Sequence, residues 1–202
     1  PVTEYRGNLG IERYFGVEYA PVSLEFKPGP KVFNKKILCI IGGNEDQYGP
    51  RILSRQLKET LTDDYCIDFI LSPHFPRERK EALIKVFPKI NFYQNLDSVV
   101  EAMQDAQCVI TTYGNATWEA LTLHKPVFVV SYLDFQKYFA AYLDEQNYAV
   151  DLGYFEEINQ EKLSLLMAEQ FQKNLIDRVQ DVFQTPGIIN IAKIILEAIN
   201  VS

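Results

Sequence analysis

Residues 36–43 read K-I-L-C-I-I-G-G, and the fold turns on what this run is. It is short, almost wholly apolar, and stopped by two glycines. A half-exposed strand would alternate polar and apolar residues and a helix would need a longer stretch, so the run suits a strand buried on both faces of a parallel sheet. Five further runs share this character, at 66–71, 90–93, 108–112, 127–131 and 148–152. The stretches between them, 50–61, 77–87, 98–106, 116–123 and 134–146, carry helical spacing, and two more helices, 160–173 and 187–200, follow.

Local signals agree with this reading. Pro50 suits a first helical position, and S-V-V-E at 98–101 forms a capping box after Asn95 and Asp97. Alternating strands and helices joined by right-handed crossovers give an α/β fold, a doubly wound, Rossmann-like parallel sheet of about six strands with helices on both faces. Residues 1–35 lack sustained periodicity and carry Gly7, Gly10, Gly16, Pro21, Pro28, Gly29 and Pro30, so they read as an arm or linker with one short strand at 22–26. Residues 36–202 then form the domain, C-terminal helices included.

The 202 residues are 47 % hydrophobic, enough to fill a core. With 20 Lys and Arg against 27 Asp and Glu the net charge is -7, which disfavours tracking a phosphate backbone, and nucleic acid is not an expected partner. The longest apolar stretches, such as 37–41 and 127–130, are too short to cross a bilayer, and no signal peptide is evident. A cytoplasmic protein without an integral membrane segment is expected. Cys39, Cys66 and Cys108 are odd in number, lie inside apolar runs and read as buried thiols. His74 and His124 have no Cys or carboxylate at ligand spacing, so no metal site is expected, and no cofactor either.

In a doubly wound sheet, ligands sit at the carboxyl ends of the strands. After the first strand comes G-G-N-E-D-Q-Y-G-P, residues 42–50, where glycines admit a ligand close to the backbone; it is an anion site or an ordinary turn. Neither G-x-x-x-x-G-K-[ST] nor G-x-G-x-x-G is present, which argues against a P-loop ATPase and a dinucleotide enzyme. After the strand at 108–112 comes T-Y-G-N-A-T-W-E, in which Gly114 takes a positive φ or permits close contact, Asn115 suits an N-cap, and the helix start faces the ligand edge. Glu119, placed in the first turn, either complements the helix dipole or accepts hydrogen bonds from a ribose diol beside the anion. After the next strand, Asp134 suits a cap and Gln136 could recognise sugar hydroxyls.

Together, G-G-N-E-D, the run N-L-D-S-V-V-E-A-M-Q-D-A-Q-C-V-I-T-T-Y-G-N-A-T-W-E-A-L-T-L-H-K-P and L-D-F-Q resemble the nucleotide-sugar-binding C-terminal domain of two-domain, GT-B type enzymes. The pattern is most similar to the UDP-sugar hydrolases of pseudaminic acid synthesis and related spore-coat polysaccharide proteins, and more distantly to the peptidoglycan N-acetylglucosaminyltransferase. It covers residues 36–173, with T-W-E its most specific part.

The resemblance implies a diphosphate held by Gly42, Gly43, Asn44 and by Gly114, Asn115, Ala116 and Thr117, a ribose on Glu119, a uracil at the backbone of Tyr93 and Gln94, and a sugar facing Gln136. It also implies that an N-terminal half, or a partner chain, carries the acceptor site and the catalytic base, leaving this chain inactive alone. Two departures stand out: His124 replaces a usual Gly, and Phe139 stands where Asn is frequent. The expected function is donor binding, with a UDP-sugar as the donor, in a glycosyltransferase-like enzyme; the alternatives are one half of a UDP-sugar hydrolase in nonulosonic acid synthesis and a non-catalytic nucleotide-sugar-binding subunit. A receiver-like or flavodoxin-like domain fits less well, for want of an acidic cluster or an FMN loop.

Overall fold

A computed structural model describes residues 17–41, 48–184 and 187–200. Six strands, β1 (Lys36–Ile40), β2 (Cys66–Ile70), β3 (Ile90–Tyr93), β4 (Cys108–Thr111), β5 (Val127–Ser131) and β6 (Val150–Tyr154), form one parallel sheet in the order β3-β2-β1-β4-β5-β6. Between them run α1 (Gly49–Thr60), α2 (Arg77–Val86), α3 (Val99–Asp105), α4 (Asn115–Thr122) and α5 (Asp134–Glu145). After β6 come α6 (Gln160–Ser164), α7 (Glu169–Val182) and α8 (Gly187–Asn200).

Side chains alternate across the sheet and build two cores. On one face Ile37, Cys39, Phe69, Ile110 and Phe128 meet Leu53 and Leu57 of α1 and Leu163 of α6. On the other, Leu38, Val109 and Val129 meet Met103 of α3, Leu121 of α4 and Leu143 of α5. Helices thus cover both faces, and the doubly wound architecture read from the sequence is the one observed.

Four local expectations are corrected. Residues 22–26 form a turn, not a strand, with Phe26 N–H donating to Ser23 O at 3.2 Å; Val22 and Phe26 plug the second core, so part of the arm packs onto the domain. The last strand starts at Val150, because the amides of Tyr148 and Ala149 are spent on Leu143 O, capping α5 behind Asn147 in the left-handed region. The helix read at 160–173 is two helices separated by a 3-10 turn, Leu165–Met167, and α7 runs on to Val182. Gln172 holds that turn: fully buried, it donates to Leu166 O at 2.6 Å and accepts from Gln107 Nε2 at 2.8 Å. Finally Cys66 is exposed, at the start of β2; Cys39 and Cys108 are buried as expected.

His124 sits at φ 57°, closing α4. His124 N–H donates to Leu121 O and Lys125 N–H to Ala120 O, the two-bond closure that favours glycine at this position. Histidine replaces it with an added contact, its Nε2 lying 2.8 Å from Phe183 O. Its role is structural.

The span Glu169–Ile199 has the length and hydropathy to cross a membrane, which the sequence reading overlooked. In the fold it is divided: α7 ends at Val182 and buries Leu175, Ile176 and Val179, while Asp177 pairs with Lys31 at 2.7 Å. α8 alone has 14 residues, about 21 Å of helix against the roughly 30 Å of a bilayer core.

Candidate functional site

The strand order reverses between β1 and β4, the point at which open α/β sheets bind ligands, outside the carboxyl ends of the strands. Gly42, Gly43 and Asn44, in the loop after β1, lie outside the described residues. The loop from Thr111 to α4 is described, and one hydroxyl organises it.

Thr117 is fully buried, and its Oγ1 donates to Thr112 O at 3.2 Å. Having spent its single proton, Oγ1 accepts from Thr111 Oγ1 at 2.9 Å and from Gly114 N–H at 3.3 Å. Gly114 therefore holds the N-cap position expected of Asn115, which becomes the exposed first residue of the helix. The amides of Asn115 and Ala116 precede any carbonyl that the helix could offer them, and so present donors at the carboxyl end of β4. Gly114 is extended, at φ 172°, not left-handed, and a Cβ there would lie 3.9 Å from Thr112 O. Neither conformation nor internal crowding calls for glycine, and the space beside it is open.

Aromatic rings brace the same loop. Tyr113 stacks face to face on Phe139, centroids 4.7 Å apart, and meets Trp118 edge-on at 5.9 Å. Burial pushes the Tyr113 phenol up, while a hydrogen bond with Trp118 opposes it. Trp118 also packs against Phe183 and the second core. Phe139, where the resemblance favours Asn, is thus a support for the loop.

Glu119 lies in the second turn of α4, not the first, which weakens its reading as a dipole partner. It is half-buried, and among the described residues its carboxylate has no hydrogen bond or ion pair. Burial, and then the charge of Glu25 on the arm, raise its pKa. A desolvated carboxylate without a partner is costly unless something else satisfies it.

Beyond β5, Gln136 is buried and its Oε1 accepts from the amides of Tyr132 and Leu133 at 3.1 and 3.3 Å. Half of its hydrogen-bonding capacity thus shapes the entry to α5, and only the amide nitrogen is left for a ligand. Asp134 does not cap the helix; exposed at its first position, it accepts from the Tyr154 hydroxyl at 2.8 Å. Ser131, unremarked in the sequence reading, ends β5 with a buried hydroxyl that has no partner among the described residues.

Tyr93, exposed at the end of β3, and Gln94 lie three strand spacings from β4, roughly 14 Å at ordinary inter-strand distances. Gln94 Nε2 donates to Ser72 O and Phe75 O, both at 3.1 Å. Its side chain braces the loop after β2. His74 is exposed in that same braced loop.

No protein-family profile matches the chain. Over 109 residues, 51% of its length, it is 32% identical to the uncharacterized protein MJ1062 of Methanocaldococcus jannaschii, covering 22% of that protein. Among solved structures it resembles the calicheamicin glycosyltransferase CalG4, with a TM-score of 0.60 at 13% identity, covering 80% of this chain and 43% of that one. The glycotransferase of kitacinnamycin gives 0.59 at 11% identity, covering 84% and 45%. The spinosyn rhamnosyltransferase SpnG complexed with thymidine diphosphate gives 0.58 at 13% identity, covering 87% and 48%. The chain has the α/β fold of one half of GT-B glycosyltransferases, and it spans less than half of each of these enzymes and about a fifth of the archaeal relative.

Proposed function

We propose that the chain is the donor-binding half of a glycosyltransferase-type enzyme that takes a nucleotide sugar, with UDP as the nucleotide. The observation that carries this reading is the mouth of α4 at the switch point: two open amides behind an unobstructed glycine, with an unpartnered, half-buried carboxylate further along the same helix. Amides and the helix end would receive the diphosphate, Glu119 the ribose hydroxyls, and the Gln136 amide nitrogen the sugar. As the glycosidic bond to the diphosphate breaks, those same donors would stabilise the charge that develops on the leaving group.

The fold shared with glycosyltransferases favours transfer over the hydrolase reading. A second half, in the same polypeptide or a partner, would supply the acceptor site and the base; the share of each enzyme covered supports that division. UDP-N-acetylglucosamine incubated with the chain and followed by chromatography should stay intact, while the same ligand raises the melting temperature. Rapid UDP release, abolished by His74→Ala, would place a complete active site in this chain and overturn the division of labour.

A further inference from the structure

The chain carries a net charge of -7, yet α1 and α2 together hold seven Lys and Arg against three Glu. Arg77 is paired with Glu81. Arg51, Arg55, Lys58, Arg79, Lys80 and Lys85 have no ion-pair partner among the described residues. Elsewhere seven lysines, Lys31, Lys35, Lys36, Lys89, Lys137, Lys162 and Lys173, each meet an acidic partner. Lys27, Lys125, Arg178 and Lys193 also lack an acidic partner among the described residues, but they are scattered, and Lys125 is buried on the carbonyls of Gln104 and Ala106; α1 and α2 hold six such cations together.

These helices are not packed tightly against each other. Adjoining cavities of about 210 and 470 Å³ lie between them, with Leu83 and Phe87 in the floor and Arg51, Arg55 and Arg79 on the rim. Apolar side chains stand out among the cations: Tyr48 is 65% exposed, Val86 52% and Ile84 44%. The Arg79 guanidinium lies over the Tyr48 ring, 5.3 Å from its centroid. Cations interleaved with exposed aromatic and aliphatic groups are the makeup of surfaces that lie in a membrane interface, where stems and rings enter the headgroup boundary and charges meet lipid phosphates.

We infer that the α1–α2 face is a docking surface for an anionic lipid bilayer. Charge complementarity selects this occupant. The cations are dispersed over two helices and, Arg77 apart, meet no acidic partner among the described residues, which suits a plane of laterally mobile headgroups better than the defined side chains of one protein partner. Tyr48 and Arg51 stand at the start of α1, so docking sets the carboxyl edge of the sheet beside the headgroups. The inference stands whether or not the chain binds a nucleotide.

Co-sedimentation with vesicles tests it. The chain is expected to partition onto phosphatidylcholine vesicles containing phosphatidylglycerol, progressively less as salt is added, and not onto phosphatidylcholine alone. Reversing three charges, Arg51→Glu, Arg55→Glu and Lys85→Glu, should weaken partitioning by at least ~100-fold with the circular dichroism unchanged, since each basic side chain near such a surface contributes roughly fivefold. Tyr48→Ser with Val86→Ser keeps every charge and should weaken binding to the same vesicles several-fold. Equal binding to neutral vesicles, no binding to either, or full retention by the charge-reversed protein would overturn the inference. So would self-association without lipid that the charge reversals abolish, which would assign the face to a second copy of the chain.

Discussion

Glu119→Gln is expected to weaken UDP binding roughly 10- to 100-fold, about 1.5–3 kcal/mol, the scale of hydrogen bonds to a charged group. The apo protein should be no less stable for it. Were Glu119 a dipole partner, the substitution would cost roughly 0.3–1 kcal/mol. Its place in the second turn, the burial that raises its pKa and the facing Glu25 predict the opposite sign. A carboxyl whose folded pKa lies above its unfolded one binds more protons folded than unfolded, so stability falls as pH rises through that interval. At neutral pH the ionised group is a net cost to the empty fold, and glutamine removes it. Nucleotide binding needs the ionised form and should weaken on acidification, starting at a higher pH than an ordinary carboxylate would cause. Urea melts and calorimetry of both proteins, with UDP and 2′-deoxyuridine diphosphate, check these statements together. Equal affinity of parent and variant for UDP, with a less stable variant, would return Glu119 to the dipole role.

Thr117→Val should cost roughly 2–4 kcal/mol, because valine fills the space but leaves the buried Thr111 hydroxyl and Thr112 carbonyl without their partner, at about 1–3 kcal/mol each. Gly114 N–H loses its acceptor at the same time. Thr117→Ser keeps the hydroxyl and should retain most of the stability lost in Thr117→Val. UDP affinity should follow the same order, since the hydroxyl fixes the turn that aims the amides of Asn115 and Ala116. Chemical denaturation of the two variants gives the answer; a valine protein as stable as the serine protein would remove Thr117 from the account.

The strands were legible because a parallel sheet covered on both faces leaves continuous apolar runs such as Ile37 to Ile41 and Val127 to Val130, which periodicity detects directly. What the sequence hid depends on long-range hydrogen bonds. Nothing near 160–173 announces that Gln172 will meet Gln107, just before β4 and 65 residues away in sequence, and hold a break between two helices. Val22 and Phe26 have strand propensity, but no neighbour pairs with them, and tertiary packing made a turn there. The helix mouth was legible as a position and less so in its parts: the cap passed from Asn115 to Gly114 because Thr117, buried against Thr111, supplies the acceptor. Gln136 carried the least information, since an amide suited to a sugar is equally suited to two loop N–H groups, and the structure gives its oxygen to the latter.

The most direct measurement is isothermal titration of the purified chain with UDP in excess EDTA. Saturable heat at one site per chain is expected, unchanged when Mg²⁺ replaces EDTA. No heat with UDP, or heat that appears only with the metal, would contradict it.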